Sequence, residues 1–192
     1  MGYTAVRAQL LSVPPYACAF FFALVIAYTS DHMKKRGLWL IIPFFLQVTG
    51  YAILVGVSPS NVGARYAAVF LASMGAFPGG PGFLAWGTNN VASHTARAVT
   101  SGLIVSVGTL GAVVATWTYL PQDAPAFRTG HAINIGSGSG VIILCCLMIL
   151  YIRWENRERA NGKRDGRLQR FATDDEASAV LGDLHPRFRY IE

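Results

Sequence analysis

The chain has 192 residues, of which 53% are hydrophobic and 14% charged, with a mean hydropathy of +0.39 and a formal net charge of +6. A soluble globule of this length needs more polar surface than that, so the composition excludes it and points to a membrane protein. The basic excess is read as topology and contact with anionic headgroups. Nucleic-acid binding has no support, because the polar tail lacks interleaved aromatics until Phe188 and Tyr190.

Five stretches, about 10–28, 38–57, 66–88, 98–120 and 130–152, contain no Asp, Glu, Lys or Arg. About 20 helical residues rising about 1.5 Å each match a hydrocarbon core of about 30 Å, so each stretch is expected to span a bilayer as a helix. The expected fold is all-α, with transmembrane region 1–152 and a polar tail over 153–192. An odd number of spans places the two ends of that region on opposite sides.

Arg7 is followed by an apolar run of spanning length with no small-residue cleavage site, so the first span is not read as a signal peptide. Pro14 and Pro15 suit the first turn of a helix, where a missing N–H costs little, and the first span is expected to begin at them; a start near Ala8 would put a kink there. The second span carries Pro43, Gly50 and one strongly polar residue, Gln47, and Pro59 with Asn61 marks a turn after it. In the third span, Phe77-Pro78-Gly79-Gly80-Pro81-Gly82-Phe83 cannot form an undisturbed helix, since proline removes intrahelical hydrogen bonds. Irregular backbone at membrane depth needs protein or a water-filled cavity around it. Two readings follow, a broken helix lining a path or acting as a hinge, and a packing kink.

The fourth span has Gly102, Gly108 and Gly111, and the fifth has a GxxxG pair, Gly136 and Gly140, which is expected to allow close helix packing. Cys18, Cys145 and Cys146 lie within spans without metal-ligand spacing and are read as packing residues. Trp39, Trp117, Tyr119, Tyr151 and Trp154 fall near span ends, as interfacial anchors do, and Trp86 is the one ring considered for ligand stacking. The tail is expected to be solvated, with a short helix after Thr173.

Charge is distributed unevenly. The loop with Lys34, Lys35 and Arg36, the loop with Arg97 and the tail through Arg170 hold eleven cations, against Arg7, Arg65 and Arg128 on the other side. By the positive-inside rule the first group is cytoplasmic, with the N-terminus outside and the C-terminus in the cytosol. An enzyme is not expected. Gly136-Ser137-Gly138-Ser139-Gly140 lacks the spacing of a serine nucleophile elbow, the spans hold no carboxylate to orient a base, and the glycine runs lack a phosphate-loop lysine. No cofactor and no metal site is expected. A proton-coupled carrier normally keeps an ionisable group in the membrane, and here only His131 is available for such a role.

Several segments together carry a resemblance. These are AQLLSVPPYACAF in the first span, YTSDHMKKRG after it, ARYAAVFLASMGAFPGGPGFLAWGTNNVASHTARAV through the third, TYLPQDAPAFRTGHAIN between the last two, and the terminal HPRFRYIE. In order and spacing they resemble the C-terminal half of a major facilitator superfamily transporter, in particular the fungal anion:cation symporters of the allantoate and nicotinate permease group. The resemblance implies a twelve-helix fold of two rocking halves, in which the five spans match helices eight to twelve and helices one to seven are absent. It implies transport of a small organic anion with protons, in a plasma membrane, by a chain that is truncated and needs a missing N-terminal half or a full-length carrier. The alternative is a non-transporting membrane interaction protein that pairs with such a carrier. Carried residue by residue, the resemblance makes Ser73, Phe77, Pro78, Trp86, Asn89 and Asn90 the substrate or gating candidates on the third span, with Tyr16 and Thr109 on flanking spans. It makes Asp31, Lys34, Lys35 and Arg36 a cytoplasmic latch between states. The chain departs from the group's pattern at Val107, where Asn is frequent, and at Ala96, where Lys is common.

Overall fold

The computed structural model describes residues 5–124 and 126–192. Among these the chain is all-α: α1 (Ala5–Met33), α2 (Arg36–Gly56), α3 (Val62–Ala76), α4 (Gly79–Asn89), α5 (His94–Thr116), α6 (Arg128–Ala160) and the short α7 (Asp174–Leu181), with single 3-10 turns between and after them. With α3 and α4 counted as one interrupted rod, five helical segments are long and apolar enough to cross a membrane. Their outward faces carry Phe20, Phe21 and Leu24 on α1, Leu103, Val107 and Leu110 on α5, and Leu144 and Leu147 on α6, all more than half exposed. Water would not tolerate so continuous an apolar coat, whereas lipid tails cover it at no cost.

The first helix does not wait for the prolines. It starts by Ala5 and runs straight through Pro14 and Pro15, correcting the expected start. Proline at position 15 leaves the Leu11 carbonyl without its helical donor, and the Tyr66 hydroxyl of α3 donates to that carbonyl at 2.9 Å. A neighbouring helix thus restores the lost hydrogen bond, which is how membrane helices tolerate internal proline.

Helix α2 is central, packing against α3 and α6 most extensively and against α1 and α4 less so. Its approach to α3 depends on two glycines. A Cβ on Gly50 would lie 2.6 Å from the Ala72 backbone nitrogen, and one on Gly75 would collide with the backbone of Pro43 and Gln47. The expected GxxxG contact is different. Nothing lies near a Cβ placed on Gly136 or Gly140, while Gly138, between them, faces Val48 of α2. The helix face that packs is therefore rotated away from the motif.

The third span breaks at Phe77 and Pro78, yet both residues keep right-handed helical angles, with φ of −64° and −67°. The break is a kink with the rod continuing, not an unwound segment. Helix α5 has no buried residue and rests on α4 alone among its substantial contacts, so α4 and α5 form a hairpin set against the rest. Helix α6 runs past the expected end of the fifth span to Ala160, carrying Arg153, Glu155, Asn156 and Arg159 beyond the apolar part. The tail then folds back, correcting the expectation of a solvated segment: Glu155, Arg159 and His185 are all buried. The expected short helix after Thr173 is α7, whose N-cap is the Thr173 side chain accepting from the Glu176 amide.

Replacing Gly75 by Leu is expected to separate α2 from α3. Overpacking of this kind costs about 1–3 kcal/mol, read as a lower thermal midpoint in detergent, while Gly136→Leu on the open face leaves the midpoint unchanged.

Candidate functional site

The loop between α1 and α2 is only Lys34 and Lys35, and Lys34 takes a left-handed φ of 53° to reverse the chain. This turn brings Asp31 and Arg36 together at 2.7 Å. With its amide oxygen turned toward the guanidinium, Asn89 at the end of α4 accepts from Arg36 Nε at 2.7 Å and Nη2 at 3.0 Å. The ion pair thus ties α1, α2 and α4 at one end of the bundle. A small cleft of about 190 Å³ beside it is lined by Asp31, Arg36, Pro78 and Pro81. Lys34 and Lys35 are exposed and make no ion pair among the described residues.

A larger cleft, about 1100 Å³, opens between the α4–α5 hairpin and α6. Its walls are almost entirely apolar, with Phe83, Leu84, Ile104, Val107, Val141 and Met148 along its length. Polar groups enter only at the tail end, from Trp86, Asn90, Tyr151 and Tyr190. Such a lining suits hydrocarbon and offers an anion no countercharge.

The candidates named from sequence do not converge on one place. Tyr16 and Phe77 meet on the α1–α3 face, with ring centroids 5.4 Å apart, and both are about half exposed. Ser73 is half-buried and stands one turn before Phe77, whose amide donates to its backbone carbonyl. Pro78 lines the small cleft, and Asn89 joins the Asp31–Arg36 pair. Trp86 and Asn90 hold the tail: Trp86 Nε1 and Asn90 Nδ2 both donate to the Ile191 carbonyl, at 2.9 and 3.1 Å. Thr109 is exposed on α5 and donates back to the Val105 carbonyl of its own helix.

Two polar groupings were not anticipated. At the tail end, Glu155 accepts from Arg159 Nε at 2.9 Å and from Arg164 Nη2 at 2.7 Å. The hydrogen bond to Glu155 holds the Arg164 pKa above its ordinary value. Arg159, 4% exposed, also donates to the carbonyls of Asp183, His185 and Phe188 and lies 4.4 Å from the Tyr190 ring centroid. At the opposite end, the buried His131 shares a hydrogen bond with the Tyr119 hydroxyl at 3.1 Å, and Asn134 donates to that hydroxyl. Buried Arg65 donates to the Leu54 carbonyl nearby at 3.4 Å. The spacing of Glu155 and Arg159 was a visible signal for the first grouping. Nothing local marks the second, since its members come from three separate helices and a loop.

No family model matches the chain, and no solved structure matches it. Known proteins do. The MFS-type transporter cnsO of Penicillium expansum is 29% identical over 198 residues, covering 100% of this chain. The major facilitator-type transporter hxnP of Emericella nidulans is 28% identical across 99% of the chain, and an uncharacterized transporter of Schizosaccharomyces pombe is 30% identical across 85%. Its relatives are fungal transporters of the major facilitator type. With five apolar spans, the similarity makes this a multi-pass membrane protein. The chain spans only 37% of cnsO and 38% of hxnP.

Replacing Arg159 by Met leaves Glu155 buried with one cation fewer and frees three carbonyls. Breaking a buried pair costs about 3–5 kcal/mol, so a clear fall in thermal midpoint is expected, whereas Lys163→Met, at an exposed pair, changes little.

Proposed function

We propose that this chain is part of the helix bundle of an organic-anion carrier, matching helices eight to twelve, and that it transports a carboxylate or vitamin-like anion with protons only together with the remainder of such a carrier. The observation that carries the reading is the similarity to named transporters along the full chain. The kink at Phe77 and Pro78 supports a hinge in the third span, and the Asp31–Arg36–Asn89 link supports a latch at the end of the bundle that the charge excess assigns to the cytosol. Tyr16, Ser73 and Phe77 would then face substrate, while Trp86 and Asn90 serve the tail and Thr109 faces away from it. The N-terminus is outside, the C-terminus cytosolic and the membrane the plasma membrane in this reading. Transport by this chain alone is disfavoured, because alternating access needs two bundles moving about a shared site.

A second reading, a non-transporting partner of a carrier, is favoured by one feature. Helix α5 has no buried residue, rests on α4 alone among its substantial contacts, and leaves a large apolar cleft beside it.

Uptake into proteoliposomes separates them. With labelled nicotinate, the chain alone is expected to give no uptake above empty liposomes, and co-reconstitution with the unmatched part of a relative is expected to give uptake that Arg36→Ala slows several-fold. Uptake by the chain alone defeats the requirement for a second bundle. Co-purification with an intact carrier, with no effect of the chain on uptake, favours the second reading.

A further inference from the structure

The last residues of the chain run extended between α4 and α6, and two asparagines hold consecutive residues from opposite sides. Asn156 of α6 donates to the Tyr190 carbonyl at 2.9 Å and accepts from the Tyr190 amide at 3.0 Å. Asn90, the C-cap of α4, donates to the Ile191 carbonyl at 3.1 Å and accepts from the Ile191 amide at 2.7 Å. An extended backbone presents successive residues to opposite sides, so each asparagine amide takes the place of a neighbouring strand on its own side. Trp86 adds a third hydrogen bond to Ile191, and Glu192 pairs with Arg153 of α6 at 2.8 Å. Upstream, Arg159 gathers the carbonyls of Asp183, His185 and Phe188, so the segment is anchored to α6 along its length.

We propose that residues 183–192 are a strap that sets the separation of the α4–α5 hairpin from α6 and so closes one end of the large cleft. Three features of the fold place this task on the strap. The backbones of α4 and α6 stand apart and meet through the Trp86 side chain, which is buried with Cys145, Ile149 and Ile152 of α6. Tyr190 of the strap packs against that cluster and stands with Trp86 and Asn90 in the cleft wall. The hairpin joins α3 through the proline kink at Phe77 and Pro78, where the Pro78 nitrogen has no hydrogen to hold the turn before it. The Leu40 and Phe44 side chains of α2 fit against Gly82 and Gly79 of α4, close to the kink, so they oppose rotation of the hairpin only with a short lever. Alongside that seam, the Arg36–Asn89 bond and the buried Trp86 ring, the strap fastens the far end of α4 by hydrogen bonds. When it detaches, all three α4 hydrogen bonds to Ile191 are lost together, and the hairpin swings about the kink to widen the cleft at the tail end. This inference needs no transport activity and stands or falls separately from the carrier reading.

The test uses the full chain in lipid nanodiscs, with Cys18, Cys145 and Cys146 replaced by Ala and spin labels at His94→Cys and Arg157→Cys, both exposed positions. Pulsed dipolar spectroscopy is expected to give one narrow distance distribution for the intact chain. Asn90→Ala, and separately a chain ending at Arg189, are expected to shift it several ångströms longer and broaden it; Trp86→Phe, which keeps an aromatic ring but removes one donor and part of the buried side chain, gives a smaller shift in the same direction. Helix content by circular dichroism reports whether each variant is folded, and if the shortened chain is not, the two point variants decide. An unchanged distribution in folded Asn90→Ala or in the folded shortened chain overturns the proposal, since the hairpin is then held in place without the strap.

Discussion

The contact on which the bundle depends is the approach of α2 to α3, where backbone meets backbone at Gly50 and Gly75. In lipid, apolar side chains gain little by leaving the tails, so helix association relies on close packing and on polar groups finding partners. Only glycine lets Gln47 and Pro43 of α2 lie against α3 in this way. That seam fixes α2 at the centre, and α1, α4 and α6 are positioned by packing on it. Tyr66 reaches the carbonyl orphaned by Pro15 because α3 is held where it is.

The α4–α5 hairpin belongs less firmly to this core. It is joined by a kinked rod, rests on α2 across small residues, and is tied at one end to Arg36 of α2 and to the tail, which Asn156 of α6 holds in turn. Polar contacts are concentrated where the helices emerge from the apolar zone. Within the zone the cleft beside α5 is lined by hydrocarbon. The two ends differ as well, since Arg65 at the far end has a backbone carbonyl and no carboxylate as its hydrogen-bond partner.

Much of the fold was legible in the sequence because the bilayer imposes a single demand on composition. A stretch of about 20 residues without charge has few alternatives to a spanning helix, and the five spans emerge at nearly the expected positions. The kink at Pro78 was legible for the same local reason, a missing N–H. Helix ends were less so: α6 continues to Ala160, where Glu155 pairs with both Arg159 and Arg164, which hydropathy does not register. The GxxxG pair was misleading because a motif records small residues without recording which face of the helix meets a neighbour.

For the candidate site the division is sharper. Asp31 and Arg36 are five positions apart across a tight turn, so their pairing follows from local geometry, and the sequence alone could nominate them. Trp86, Asn89 and Asn90 were nominated together as neighbours on one span, yet Asn89 turns to Arg36 while Trp86 and Asn90 hold Ile191, about a hundred residues away. Adjacent helical residues point in different directions, about 100° apart, and what each meets is decided by other elements. The sequence by itself determined that this chain spans a membrane, where its helices break and which end carries the charge, because each follows from the chemistry of consecutive residues. Only the tertiary structure decided which polar groups meet, since that depends on helix rotation about α2 and on a tail whose course is set by carbonyls and amides common to every residue.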